Sequence, residues 1–99
     1  MNVPPRKLVA QFRYEGFTKV TDEEINSIFD TDITEQEQQI LHLRNGEDTE
    51  RTPEEIGTSL QITSEEVLKL ENRALSIIRH WLSLLQLNSI AYDTSNLYD

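Results

Sequence analysis

The chain has 99 residues, a formal net charge of −9, 36% hydrophobic residues and no cysteine. That length suits one domain with a modest core, and the low apolar share implies that part of the chain is loose or is buried only on a partner. Without cysteine there are no disulfides, no thiolate catalysis and no zinc-finger chemistry, which fits a reducing, cytoplasmic setting.

Charge is distributed unevenly. In residues 1–20, Arg6, Lys7, Arg13 and Lys19 oppose Glu15 alone, giving +3, so the remainder carries −12. Phosphate neutralisation by Lys and Arg dominates nucleic-acid affinity, so an acidic body with a small basic arm points to protein partners before DNA. The start, Met-Asn-Val-Pro-Pro-Arg-Lys, has no apolar run behind it and does not read as a signal peptide. No stretch approaches the ~20 apolar residues needed to span a membrane.

In residues 1–20, Pro4-Pro5 favours an extended beginning. Leu8, Ala10, Phe12 and Tyr14 alternate as in a strand, while Leu8 and Phe12 also suit a helix. Glu15-Gly16 is a candidate turn. The segment reads as a basic arm, either flexible with its aromatics laid on the body or in contact with a partner or phosphate backbone.

From Thr21 onward the chain is punctuated by capping boxes, a threonine followed three residues later by glutamate: Thr21–Glu24, Thr34–Glu37, Thr52–Glu55 and Thr63–Glu66. In each, the hydroxyl accepts from the N3 amide and the glutamate accepts from the N-cap amide, satisfying donors left orphaned at a helix start. The pattern predicts a first helix over 22–30 with Ile25, Ile28 and Phe29 on one face. A second is predicted over 35–45, with Ile40, Leu41 and Leu43 inward and Gly46 available as its stop. Asn45 to Arg51 is polar and reads as a loop. Thr52-Pro53 opens a third helix to about Leu60, since proline at N1 lacks an amide that would be unpaired anyway. A fourth begins after Thr63 and reaches about Leu87. The domain thus spans 21–87, and residues 88–99 form a polar tail that frays unless Tyr92, Leu97 or Tyr98 docks.

Within residues 53–71, Ile56 and Leu60 lie one turn apart, as do Val67 and Leu70. Ile62 plugs the junction and Gly57 permits a close crossing, the packing logic of a helix-turn-helix. Gln61 stands where a glycine is often found.

The tract 33–79 resembles region four of bacterial sigma factors, the domain that holds the promoter −35 element and the flap of RNA polymerase. The resemblance rests on Thr-Glu … Ile-Leu-x-Leu-Arg-x-Gly (Thr34 to Gly46), on Arg-Thr-Pro-Glu-Glu-Ile-Gly (Arg51 to Gly57), and on Val-x-x-Leu-Glu-x-Arg-Ala-Leu (Val67 to Leu75). It implies an all-α domain of four to five helices containing this helix-turn-helix and a long C-terminal helix. It also implies that Arg44 and Thr52 help hold the DNA backbone and makes Thr63, Ser64, Glu65, Leu68 and Lys69 DNA-binding candidates, of which the last four would face the bases in a DNA-reading protein.

The departures bear on function. Where the family reads Ser/Thr-Arg-Glu-Arg-Val-Arg-Gln-Ile-Glu, this chain has Thr63-Ser64-Glu65-Glu66-Val67-Leu68-Lys69-Leu70-Glu71. Three arginines are replaced by Ser64, Glu66 and Leu68, and the glutamine by Lys69. Arginine reads guanine bidentately, each such pair being worth ~1–3 kcal/mol of discrimination, and a glutamate is repelled by phosphate.

A core stripe of Val67, Leu70, Ala74, Ile78, Trp81 and Leu85 satisfies helical spacing. It leaves Leu68, Leu75 and Leu82, and Ile77 and Leu84, as seams with heptad spacing. Either the N-terminal segment covers them or they form a dimer or partner face.

His42 and His80 are too far apart in sequence to suggest a metal pair, and the carboxylates are accounted for by caps and solvated faces. No phosphate-binding glycine loop, nucleophile elbow or metal spacing occurs, so neither an enzyme nor a cofactor is expected. The first reading is a sigma-like regulator acting at RNA polymerase, or at a sigma-interacting protein, with weakened DNA reading and a possible homodimer. The alternatives are a sequence-specific DNA-binding transcription factor and a structural or assembly module that does not bind DNA.

Overall fold

The computed structural model describes residues 3–46 and 50–95, with side chains to residue 89. Five helices follow in chain order: α1 (Arg6–Tyr14), α2 (Asp22–Thr31), α3 (Glu35–Arg44), α4 (Pro53–Leu60) and α5 (Ser64–Ser95). The molecule measures 58 × 24 × 23 Å. At ~1.5 Å per residue, the 32 residues of α5 span roughly 48 Å. This helix is the spine on which the others pack.

Capping explains most of the helix starts. At Thr21, Thr34 and Thr52 both bonds of the box form, hydroxyl from the N3 amide and glutamate from the N-cap amide. At Thr63 the hydroxyl accepts from Glu66 N at 3.1 Å. α3 closes at Asn45, whose side-chain amide and backbone N–H both donate to the Leu41 carbonyl, the side chain at 2.8 Å.

Two apolar clusters share α5. One joins Ile40, Ile56 and Val67, with Leu43, Leu60, Ile62 and Leu70 packed around them, and holds the helix-turn-helix together. The other joins Leu8, Phe12, Val20, the α2 residues Ile25, Ile28 and Phe29, and Ala74, Ile78 and Leu82 of α5. Residues 6–14 are therefore helix, with Leu8 and Phe12 buried one turn apart, so they are part of the core and not a loose arm.

Two of the arm's charges are bonded within the fold. Arg13 donates to the carbonyls of Phe17 (2.6 Å) and Val20 and pairs with Asp22 at 2.6 Å, fixing the bend between α1 and α2. Lys7 bonds Glu50 at 3.3 Å.

Two expectations for α5 are corrected. Leu82 is fully buried whereas Trp81 is 42% exposed, the reverse of the expected phase. The core follows 74, 78 and 82, because α1 and α2 approach α5 from that side. The helix also continues through Asn88 to Ser95 instead of ending near Leu87. Leu97 and Tyr98 lie outside the described residues, as do the Tyr92 side chain and residues 47–49 of the expected loop.

Candidate nucleic-acid and partner interface

The helix-turn-helix is set by backbone proximity at Gly57. A Cβ there would lie 2.7 Å from the Ile62 carbonyl oxygen and 3.3 Å from the Ser64 nitrogen, so only glycine allows the turn to fold this tightly over α4. Gln61 supplies the left-handed residue at φ 59 and ψ 42 that closes α4, and Ile62 N donates to the Gly57 carbonyl at 2.9 Å. Val67 is fully buried behind the junction.

That anchoring fixes which side of α5 faces away. Glu65, Leu68, Lys69 and Asn72, at intervals of three and four, form an outward row and are all exposed. Leu68 is 41% exposed, an unusual place for a large apolar side chain on a surface meant for nucleic acid. Glu66 is exposed beside the row and Ser64 is half-buried at its start. Over residues 53–71 five carboxylates oppose one lysine. A helix N-terminus attracts phosphate through its unpaired amides and dipole. Here Glu65 and Glu66 occupy the first turn and oppose an arriving anion.

The backbone-contact candidates are engaged within the fold. Arg44 Nε donates to Glu71 Oε2 at 2.8 Å, and an Arg44 terminal nitrogen reaches the Arg51 carbonyl at 3.5 Å. Glu71 is largely buried, so this pair ties α3 to α5. The Thr52 hydroxyl accepts from Glu55 N at 3.2 Å, and Thr63 is likewise a cap. In return, the Thr52 amide and hydroxyl hold the Glu55 carboxyl below its ordinary range.

A second ion pair, like Arg44–Glu71, was not legible in the sequence. Glu37 is fully buried; its Oε1 accepts from Thr34 N at 2.8 Å and its Oε2 from Arg73 at 2.7 Å. Sequence reasoning gave Glu37 only a capping role. Arg73, which lies 36 residues further on, satisfies its second oxygen.

The partner-face candidates separate. Leu82 belongs to the core and drops from that set. Leu75 and Ile77 are half-buried against the α1–α2 cluster, while Leu68 and Leu84 are each 41% exposed. His42 packs edge-on to Phe29 at 5.4 Å, and His80 lies edge-on to Trp81 at 5.9 Å. Among the described residues no group of His, Cys, Asp and Glu could hold a metal ion, and no helix is long and apolar enough to cross a membrane.

A family model described as sigma-70, region 4 matches residues 32–80, against 33–79 from the motifs. No curated protein and no solved structure matches the chain.

Proposed function

Because residues 32–80 are a sigma-70 region 4 segment, a regulatory helix-turn-helix type and not an enzyme family, we propose that the chain acts at RNA polymerase mainly through protein contacts and reads DNA weakly. One observation carries this reading: the exposed surface at the start of α5, the recognition helix of the helix-turn-helix, is centred on a leucine and bears two glutamates against a single lysine. Leu68 stands among Glu65, Glu66 and Lys69 in the positions where an arginine-rich helix would read guanines. An apolar side chain with acidic neighbours suits a protein surface that is apolar at its centre and basic at its rim. Arg44 supports the same reading, since gripping a phosphate would strip the buried Glu71 of its partner.

The test is a pair of titrations of the intact protein. Duplex DNA with a −35-type sequence, followed by fluorescence anisotropy at low and moderate salt, gives flat traces. Core RNA polymerase binds saturably, and Leu68→Glu weakens that binding without loss of helicity. Saturable, sequence-preferring DNA binding that weakens steeply with salt overturns the proposal in favour of a DNA-reading transcription factor.

A further inference from the structure

Of the six large hydrophobic side chains exposed among the described residues, three lie close together on α5: Trp81 (42%), Leu84 (41%) and Leu87 (62%). Half-buried Ile77, one turn before Trp81, continues the row. At ~3.6 residues per turn, Ile77, Trp81 and Leu84 share one side of the helix, about a quarter-turn from the buried row of Ala74, Ile78 and Leu82.

The row lies beside the last described tie between α5 and the rest of the fold. Gln86 ties the helix to the α1–α2 bend, donating to the Gly16 carbonyl at 2.7 Å and accepting from Lys19 N at 2.8 Å. Beyond it the helix continues to Ser95.

Charge identifies what can cover the row. Between Glu71 and Asp93 there is no Asp or Glu, in a chain of net charge −9. Glu15, which reaches this helix from the end of α1, is neutralised by Arg79 through bonds of 2.9 and 2.7 Å. A basic partner would find no carboxylate on the row. An acidic one would find Arg73 and Arg79 already bonded to Glu37 and Glu15. A second copy of this chain meets the row without facing its own negative charge.

Orientation follows from the same distribution. Side-by-side parallel copies would press two acidic helix-turn-helix bodies together. Antiparallel copies carry those bodies to opposite ends of the shared helices, beyond the ~8 Å over which physiological salt screens charge.

We propose that Ile77, Trp81, Leu84 and Leu87 form a two-fold, antiparallel α5–α5 contact between two copies of this chain. The interface is isologous, so each residue counts twice. One helix face per copy falls at or below the ~1,000 Å² expected of a stable interface, and the association is therefore reversible. The contact does not depend on the polymerase reading and leaves both recognition helices uncovered.

Sedimentation equilibrium across a concentration series tests it. The mass rises from the 11.5 kDa of one chain towards twice that value. Leu84→Glu, at an exposed position that preserves helicity, raises Kd by more than about tenfold. The absence of cysteine allows single spin labels at Ser59→Cys and Ser83→Cys, both exposed. The antiparallel dimer gives a short label-to-label distance at 83 and a long one at 59. A single-chain mass up to the solubility limit, association indifferent to Leu84→Glu, or short distances at both positions overturns the proposal.

Discussion

Placing arginine at three positions on the recognition helix tests whether its side chains or the scaffold would account for the weak DNA reading proposed above. In the variant Ser64→Arg, Glu66→Arg and Leu68→Arg, the changes of +1, +2 and +1 move the net charge from −9 to −5. Leu68 and Glu66 are exposed and Ser64 is half-buried at the helix start, so none is a core residue. The Thr63 cap bonds the backbone amide of residue 66, which survives the substitution. Removing an acid from the first turn and adding cations costs roughly 0.3–1 kcal/mol per charge through the helix dipole, small against the ~5–15 kcal/mol of a typical domain. If each arginine neutralises one phosphate, log Kd rises with log salt with a slope of about 2.7, and a fourfold increase in salt weakens binding roughly 40-fold. Anisotropy against a −35-type duplex at two salt concentrations measures that slope, with circular dichroism as the folding control. A folded variant that gives flat traces at low salt refutes the assignment of weak reading to these three positions.

Two other predictions concern stability. Gly57→Ala would gain helix propensity in an open helix, but its Cβ would lie 2.7 Å from the Ile62 carbonyl oxygen. We expect a loss of about 1–3 kcal/mol in urea unfolding, and a stabilised variant would refute the close crossing. The Glu15 carboxyl is held below its ordinary value of 4.5, first by the hydrogen bond from Arg79. Its folded-state value being depressed, the stabilisation it gives is present above the unfolded value and disappears as pH falls through the folded one. In Arg79→Gln the wild-type stability advantage should therefore shrink on acidification below 4.5, and an advantage independent of pH would refute the linkage.

How far the sequence could be read depended on whether a feature was local. The capping threonines and their glutamates are three residues apart, so the helix starts were visible without knowledge of the fold. The close approach at Gly57 and the junction role of Ile62 were also local, because one short turn determines both. The second half of α5 was different. Ile77, Ile78, Trp81, Leu82, Leu84 and Leu85 are apolar on nearly every side, so periodicity alone cannot choose which row is buried. That choice is made by α1 and α2, whose Leu8, Phe12, Ile25, Ile28 and Phe29 form one core cluster with Ala74, Ile78 and Leu82. Residues 8–14 alternated well enough to read as strand or helix, and with α1 unassigned the stripe was carried through Trp81 where Leu82 is the buried residue. The Arg44–Glu71 and Arg73–Glu37 pairs bridge 27 and 36 residues and needed the tertiary arrangement to appear.

The Arg44–Glu71 pair links scaffold and interface, and it can be tested by removing the charge while keeping the shape. Arg44 has the position from which the family resemblance implies a grip on the DNA backbone. In this fold its Nε lies 2.8 Å from a carboxylate that is itself largely buried. Moving Arg44 to a phosphate would leave Glu71 desolvated and unpaired, and breaking such buried pairs is costly even where forming them gains little. Glu71→Gln keeps the side-chain volume and an acceptor oxygen but no longer holds the cation by charge. Placed in the three-arginine background, it should add one phosphate contact and steepen the salt slope by about 0.9. In the parent chain it should produce no DNA binding, because Glu65 and Glu66 still guard the start of α5. If Glu71→Gln alone brings saturable, salt-sensitive binding, then the internal engagement of Arg44 is what keeps this domain off DNA, and the substituted recognition row is secondary.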